Sequence, residues 1–470
     1  MTEETKNYIE ALLAKYKLDV PTNKRSALDA FISNEANINS VQIILENQKK
    51  LMANWKLKTR IEDIITQAVY LPNGTVNKEY RAKVDFIKFG WDDIIYSEIK
   101  DLEDSGLVYD SSEELITGNP KISGDIKIKL LFRIDGETED SILNEKEIVI
   151  IINPDPKSLW KNIDSDVNDP YWKKDNTNAV SDFIDKKIVI SSKRGRSHAN
   201  VGSFRDDDFA FKNLERTGWS VLAVSDGAGS AALSRKGSQL ACDLVVSYFE
   251  ENFTEAHLKD FDEVLLSHHQ QTDENSSKKI SRFVYDNLSK AAYHVHKQLA
   301  AFATKAEKPL KDFHSTLIFA LVKKYEFGYA ILTFGVGDCP IGLVSKDLAS
   351  IKLMNWLDVG EFGGGTRFIT MPEIFQSDKF STRFGFKLID DFSYLMLMTD
   401  GIYDAKFVVE ANLEKIANWK EFIEDLKGKN DDGVGVDLSH SNAEVADQLS
   451  RWMDFWNPGN HDDRTLAIIY

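Results

Sequence analysis

The sequence predicts a multidomain protein that consists of a C-terminal α+β domain, a β-rich segment before it and a helical segment at the N-terminus. Three observations carry this prediction. The chain has 470 residues, a length that corresponds to roughly two to four domains. Hydrophobic residues recur at helical spacing up to residue 66 and at every second position in the segment that follows. From residue 187 onward, apolar strands alternate with two long helical stretches.

Composition and charge exclude several classes of protein. The content of 42% hydrophobic and 28% charged residues is typical of a globular chain. The net charge of −17 argues against a nucleic-acid partner, because binding to phosphate backbones requires clustered lysine and arginine. The first residues are acidic where a signal peptide is basic, and no apolar run approaches the roughly 20 residues of a membrane span. We therefore expect a cytoplasmic protein that binds neither nucleic acid nor a membrane.

The segments before residue 185 carry no pattern that indicates chemistry. Residues 1–66 are predicted to be helical and to serve packing or partner binding. Residues 67–153 are predicted to form strands, because residues 126–134 alternate between apolar and mostly polar side chains. Residues 154–184 are polar and rich in tryptophan and aspartate, without a period, and are predicted to be a linker or a strap across two domains.

Part of the β-rich segment is similar to a known kind of domain. Residues 71–74, 105–110 and 123–125 resemble pieces of bacterial immunoglobulin-like repeats. The resemblance implies that residues 67–153 form an immunoglobulin-like β-sandwich, whose role would be spacing or recognition and not catalysis.

The C-terminal domain, residues 185–470, contains four segments in which an apolar strand adjoins an aspartate. These aspartates are Asp226, Asp338, Asp400 and Asp462. A single aspartate at a strand end commonly caps a turn, but four in one domain are hard to explain as caps. A buried aspartate costs several kcal/mol unless it is paired, and basic residues are scarce around these four. Oxygen ligands without Cys or His select magnesium, manganese or calcium over zinc. The pattern therefore predicts a divalent-metal site.

These motifs together resemble the metal-dependent protein phosphatase 2C family. Residues 221–234 resemble its aspartate–glycine motif, and residues 315–317 with 337–338, 393–404 and 462–465 resemble its later motifs, in the family's order. The opening motif is similar to that of a bacterial branch, on residues 195–198, Gly202 and Asp207, as are residues 361–368. The resemblance implies a β-sandwich flanked by helices, with residues 404–460 as a helical insertion.

The resemblance also implies metal-dependent hydrolysis of phosphoserine and phosphothreonine in proteins by a water that bridges two Mn²⁺ or Mg²⁺ ions. Asp226 would bridge both ions, and the Gly227 carbonyl would bind one of them. Asp400 and Asp462 would hold the other ion, and Asp338 with Asp400 a third, weaker one. Asp207 would act through a metal-bound water. Asp206 and Asp208 are alternatives to it, and the interval from Gly202 favours Asp207.

The sequence departs from the family where the leaving group would be protonated. Ala228 stands where many eukaryotic members have a histidine. Protonation would then come from a metal-bound water or another group, of which His198 is the nearest in the motifs. The alternative role for His198 is that of a hydrogen-bonded loop residue. A phosphate-binding arginine is expected near the opening motif, and of Arg194 and Arg196 we favour Arg196.

The expected partners are a phosphorylated protein substrate and, by analogy with bacterial phosphatases of this type, a cognate serine/threonine kinase. The alternative is a catalytically silent phosphatase fold that acts as a regulatory or partner-binding module. The presence of all the metal-ligating aspartates argues against this alternative.

Overall fold

The computed structural model describes residues 2–358 and 365–470. Residues 361–364, part of the resemblance at 361–368, therefore lie outside the described residues. The chain divides into two compact units, Met1–Leu159 and Trp160–Tyr470. Within the described ranges, no helix has the length and apolar character needed to cross a membrane.

The first unit contains helices followed mainly by strands. Its elements are α1 (Thr2–Lys15), α2 (Arg25–Ile32), α3 (Glu35–Thr66), β1 (Gly74–Thr75), β2 (Tyr80–Lys83), α4 (Phe86–Phe89), β3 (Ile94–Lys100), β4 (Leu107–Asp110), β5 (Leu115–Gly118), β6 (Gly124–Ile134) and β7 (Asn144–Asn153). Helix α3 begins after Asn34, whose side chain accepts a hydrogen bond from the Ala36 N–H at 3.0 Å, as an N-cap residue does.

The strands of the first unit form two sheets around one core. The sheet orders are β1-β7-β6-β3 and β2-β5-β4. Side chains from both sheets, such as Ile116 and Ile128, pack with Ile64 of α3. Buried and exposed residues alternate along β6 and β7, as the period of two predicts. The immunoglobulin-like assignment of residues 67–153 stays a prediction.

The second unit contains two larger sheets and two groups of helices. Its strands are β8 (Asn176–Phe183), β9 (Lys186–Lys193), β10 (Asp208–Leu214), β11 (Trp219–Ser225), β12 (Leu317–Tyr325), β13 (Gly328–Val336), β14 (Ile341–Ser345), β15 (Ile351–Leu353), β16 (Phe384–Ile389), β17 (Phe392–Met398) and β18 (Arg464–Ile469). Its helices are α5 (Arg196–Val201), α6 (Ser234–Asn252), α7 (Glu255–Gln270), α8 (Glu274–Lys305), α9 (Asp400–Phe407), α10 (Ile416–Leu426) and α11 (Val445–Trp452).

A β-sandwich forms the centre of the second unit. The five-stranded sheet has the order β10-β11-β12-β13-β16, and the six-stranded sheet has the order β15-β14-β17-β18-β9-β8. The inner faces of both sheets share one apolar core. Helices α6 to α8 pack on the outer face of the five-stranded sheet, and α9 to α11 pack on the outer face of the other. The predicted sandwich flanked by helices is confirmed for this unit.

The continuous apolar runs in the sequence result from burial on both faces of a strand. In β11, Val221 and Ala223 pack against the helices, whereas Leu222 and Val224 face the other sheet. All seven residues of this strand are buried. A strand covered on both sides therefore shows no polar alternation.

The prediction of a linker or strap over residues 154–184 is corrected at its C-terminal end. Strand β8 pairs with β9 along its whole length and forms the edge of the six-stranded sheet. The sheet fold therefore begins before residue 185. The sequence hides this strand because its side chains before Phe183 alternate between exposed and half-buried positions and form no apolar run.

Residues 404–460, the predicted helical insertion, contain α10, α11 and the second half of α9. The indole rings of Trp419 and Trp452 are fully buried in the core between these helices and the six-stranded sheet. These two tryptophans therefore serve packing.

Candidate metal centre

The register of the antiparallel strands places five aspartates at one end of the sandwich. Three pairs of strand ends define this end. Asp208 at the start of β10 pairs with Ser225 at the end of β11, and Leu317 at the start of β12 pairs with Val336 at the end of β13. Met398 at the end of β17 pairs with Leu466 near the start of β18. The chain enters or leaves the sheets at these ends. The aspartates next to them are Asp207 before β10, Asp226 after β11, Asp338 after β13, Asp400 after β17 and Asp462 before β18.

The five carboxylates repel one another strongly. Burial, followed by the charges of Asp400 and Asp207, raises the pKa of Asp226 well above its usual range. Burial and the charge of Asp462 do the same for the pKa of Asp400. Carboxylate oxygens of Asp226 and Asp338 lie within 4.8 Å of each other. Because buried like charges are unfavourable without compensation, this cluster calls for a positive charge.

Two of these aspartates present a buried oxygen that has no hydrogen-bond partner among the described residues. The Asp207 Oδ2 atom accepts hydrogen bonds from the hydroxyls of Thr399 at 2.8 Å and Thr465 at 2.7 Å, whereas its Oδ1 is unpartnered. Burial and the charge of Asp463 raise the pKa of Asp207 to about 7. The Asp338 Oδ2 accepts from the Thr366 hydroxyl at 2.7 Å, and its Oδ1 is likewise unpartnered.

A divalent cation fits this arrangement. In the described part of the chain, no lysine or arginine forms an ion pair with any of the five aspartates. Buried polar atoms without partners are rare, and here two of them are carboxylate oxygens. The thiol of Cys339 lies within 4.8 Å of the Asp226 and Asp338 oxygens, but burial and these two charges raise its pKa well above the usual value. The other donors at this position are carboxylate oxygens, which suit Mg²⁺ and Mn²⁺.

Gly227 is needed for close packing of two motifs. A β carbon at this position would lie 2.6 Å from the Asp206 carbonyl oxygen and 2.9 Å from the Ser234 Cβ. The next residue, Ala228, donates its N–H to the His314 carbonyl at 3.0 Å. The glycine therefore allows the main chain after Asp226 to lie directly against the opening motif.

The three consecutive aspartates of the opening motif differ in their surroundings. Asp208 forms an ion pair with Lys173 at 2.9 Å. Burial opposes its ionisation, but Lys173 and Arg205 outweigh burial and hold the pKa of Asp208 below its usual value. Burial and Asp463 raise the pKa of Asp206 to about 6, and its carboxylate lies 3.9 Å from the His198 Nε2. Only Asp207 combines a buried free oxygen with two threonine donors, so the geometry favours Asp207 as the metal-facing residue.

A family model described as protein phosphatase 2C matches residues 194–450, more than half of the chain. The chain belongs to the protein phosphatase 2C family. Among curated proteins, none matches it.

The chain is also similar to solved phosphatase structures. The serine/threonine phosphatase Stp1 from Staphylococcus aureus is 14% identical, with a TM-score of 0.37 over 62% of this chain and 96% of that one. The catalytic domain of the serine threonine protein phosphatase PstP, in complex with two manganese ions, is 15% identical, with a TM-score of 0.35 over 62% of this chain and 98% of that one. The S. agalactiae serine/threonine phosphatase is 13% identical, with a TM-score of 0.34 over 63% of this chain and 99% of that one. The family assignment rests on the sequence match.

Asp463 connects the last phosphatase motif to the first. Its carboxylate accepts hydrogen bonds from the Gly195 N–H at 2.6 Å, from the Asp206 N–H and from the His198 Nδ1 at 3.0 Å. Burial opposes ionisation of Asp463, but His198 and these N–H groups keep its pKa below the usual value. No role was predicted for Asp463 from the sequence. The signal that could have found it is its place as the second of two adjacent aspartates, Asp462 and Asp463, before β18.

His198 takes part in this connection from helix α5. Burial alone would lower its pKa, but the hydrogen bond to Asp463 and the charges of Asp463 and Asp206 raise the pKa to about 9. The imidazole is therefore protonated at neutral pH. Its Nδ1 is engaged by Asp463, which favours the hydrogen-bonded role over protonation of a leaving group.

The two candidate phosphate-binding arginines are held in different ways. Arg194 is buried and pairs with Asp175 at 3.2 Å. Arg196 is half-buried, donates to the Asp454 carbonyl at 2.7 Å and lies 5.5 Å from the centre of the Trp456 ring. Arg194 is thus committed to an internal ion pair, which leaves Arg196 as the candidate.

A buried ion pair that sequence reasoning missed fixes the turn before Asp338. Arg383 donates to both oxygens of Asp358, at 2.5 and 2.8 Å, and Asp358 accepts from the Gly337 N–H at 2.8 Å. The φ angle of Gly337 is +105°, and a β carbon there would lie 2.4 Å from the Thr316 Cγ2. No sequence motif announces this pair, because its partners are 25 positions apart.

We expect Arg383→Met to lower the free energy of unfolding by about 3–5 kcal/mol, because it leaves the Asp358 carboxylate buried without its partner. The measurement is a denaturant titration of the full chain. The control is Arg282→Met, which removes an exposed ion pair with Asp286 on α8 and should cost less than about 1 kcal/mol. Equal effects of the two substitutions would contradict the role assigned to Arg383.

Proposed function

We propose that this chain hydrolyses phosphoserine and phosphothreonine in proteins and that it depends on two divalent cations, Mn²⁺ or Mg²⁺, with a third bound more weakly. The observation that carries the proposal is the cluster of five mutually repelling aspartates, two of which present unpartnered buried oxygens, in a chain of the protein phosphatase 2C family. A buried acidic cluster that no lysine or arginine pairs with is costly in a folded protein unless metal ions compensate it.

The residues proposed to hold metal are the five aspartates of the cluster and, from the family resemblance, the carbonyl of the glycine that follows one of them. They are Asp207, Asp226, the Gly227 carbonyl, Asp338, Asp400 and Asp462. When bound, divalent ions acidify water and neutralise phosphoryl oxygens, which is the chemistry that hydrolysis of a phosphomonoester requires.

The remaining site residues would orient these ligands and bind the substrate. Thr399 and Thr465 hold one oxygen of Asp207 and thereby direct the other into the cluster. Thr366 does the same for Asp338. We assign phosphate binding to Arg196, whose planar guanidinium can donate two parallel hydrogen bonds to a phosphoryl group. The proposed partners are a phosphorylated protein and a cognate kinase that produces it.

The test is phosphate release from an aryl phosphate and from a phosphothreonine peptide by the full chain, after removal of metal with EDTA. Activity should return with Mn²⁺ or Mg²⁺ and not with Zn²⁺, and Ca²⁺ should inhibit it. The smaller ions with near-octahedral coordination retain the waters that the reaction needs, whereas Ca²⁺ is larger and binds in a looser geometry.

Two outcomes separate the proposal from its alternatives. Full activity in excess chelator would refute the metal-dependent mechanism. Binding of Mn²⁺ without turnover on either substrate would favour a catalytically silent phosphatase fold.

A further inference from the structure

A segment that precedes the family match lies against the candidate metal centre. Residues 160–175, here called the strap segment, belong to the second unit, and the family match begins only at residue 194. The segment is fixed to that unit by two ion pairs. Asp169 accepts from Arg235 of helix α6 at 2.9 and 3.0 Å, and Asp175 pairs with Arg194 at 3.2 Å.

Between these two anchors, Lys173 is buried below the opening motif. Its side chain is 7% exposed. Its ammonium donates to the Asp207 carbonyl at 2.7 Å, to the Asp208 carboxylate at 2.9 Å and to the Ser238 hydroxyl at 3.4 Å. An ammonium group has three donors, and all three have a partner here.

The main chain around Asp207 is held from several sides. Arg205 also donates to the Asp207 carbonyl, at 2.5 Å, and the Ser238 hydroxyl of α6 donates to the Asp206 carbonyl. The Asp207 carboxylate is held by Thr399, which precedes helix α9, and by Thr465 of β18. Lys173 therefore completes a set of contacts that determines both the position and the direction of this aspartate.

Stability alone does not explain a lysine at this position. A buried ion pair is, on average, no more stabilising than apolar side chains of similar volume. What apolar side chains could not supply is a hydrogen bond to the main-chain carbonyl of Asp207, the residue whose Oδ1 is buried and has no hydrogen-bond partner among the described residues.

We propose that Lys173 is a positioning residue of the metal centre: it holds the main chain of Asp207, and the strap segment is thereby part of the active site and not a linker. The inference rests on the proposed metal-dependent function.

The proposal is tested on the full chain by calorimetric titration of metal-free protein with Mn²⁺, together with turnover of an aryl phosphate at increasing Mn²⁺ concentration. Lys173→Met, which keeps the length of the side chain and removes its donors, should weaken Mn²⁺ binding by about 10–100-fold, the usual effect of losing a residue that orients a metal ligand. The matched control is Lys174→Met. Lys174 is the exposed neighbour of Lys173 in the strap segment, and its replacement should leave Mn²⁺ binding unchanged.

A second variant separates positioning from simple charge balance. Lys173→Met leaves the Asp208 carboxylate buried without its closest cation and can impair folding for that reason. The double variant Lys173→Met/Asp208→Asn removes both charges and relieves this penalty. If Lys173 positions Asp207, Mn²⁺ binding stays weak in the folded double variant. If Lys173 only neutralises Asp208, Mn²⁺ binding returns to the wild-type value, and the proposal is overturned.

The two proposals fail in distinguishable ways. A wild-type chain that binds no Mn²⁺ would overturn the proposed function itself. Wild-type binding that Lys173→Met leaves unchanged would overturn the role of Lys173 and leave the proposed function intact.

Discussion

Asp400→Asn or Asp226→Asn is expected to reduce turnover of an aryl phosphate by at least about 100-fold at saturating Mn²⁺, the range for losing one preorganised charged group in an active site. Asparagine keeps the shape of the side chain and removes one negative charge. Each of these aspartates is buried among several other carboxylates. The lost charge therefore acts directly on the proposed metal site.

The substitutions should not unfold the protein. In the metal-free chain, each substitution removes a carboxyl group whose ionisation the neighbouring carboxylates oppose. The melting temperature in EDTA should therefore stay the same or rise. Asp260→Asn, the same chemical change at an exposed position on α7, serves as the control and should retain full turnover. Activity above a tenth of the wild-type value in either active-site variant would contradict the assignment.

The metal-free chain is expected to lose stability between pH 6 and pH 8. Asp207 has a pKa of about 7 in the folded protein, above its ordinary value. A raised carboxyl pKa means that the folded state holds a proton that the unfolded state has released, so stability falls as pH rises through the folded pKa. For this group alone, the loss over these two pH units is about 1.4 kcal/mol. Asp226 and Asp400, whose pKa values are raised well above the usual range, and His198, with a pKa of about 9, act in the same direction.

Mn²⁺ should reverse this dependence, because metal ions favour the ionised carboxylates. The measurement is the melting temperature at pH 6 and pH 8, with EDTA and with Mn²⁺. Stabilisation by Mn²⁺ should be larger at pH 8, and in EDTA the melting temperature should be several degrees lower at pH 8 than at pH 6. Asp207→Asn should reduce the dependence in EDTA, and the contributions of Asp226, Asp400 and His198 should remain. Equal melting temperatures of the metal-free wild type at the two pH values would show that ionisation of these aspartates does not destabilise the folded protein.

The core strands and the aspartates at their ends were predictable because the information is local. Burial on both faces turns β11 into an unbroken apolar run, and the polar residue that ends such a run marks the edge of the sheet. Antiparallel pairing brings these ends together, so Asp226, Asp338, Asp400 and Asp462 could be expected to lie near one another.

The edge strand β8 was not predictable in the same way. Most side chains of this strand are exposed or only half-buried, so the strand does not require apolar residues before Phe183. The sequence of residues 176–183 therefore shows no hydrophobic periodicity that distinguishes it from a linker. Its assignment as a strand depends on pairing with β9, a contact that becomes visible only in the folded chain.

The sequence by itself determined which residue types form the acidic cluster, their order and the family to which they belong. The tertiary structure decided how each aspartate is held. It distinguishes Asp207 from Asp206 and Asp208, because the hydroxyls of Thr399 and Thr465 donate to the Asp207 carboxylate. It also supplied Lys173, which lies 34 positions from Asp207 in the sequence. Hydrogen bonds and ion pairs depend on distances of about 3 Å between atoms, and for residues far apart in the chain only folding sets those distances.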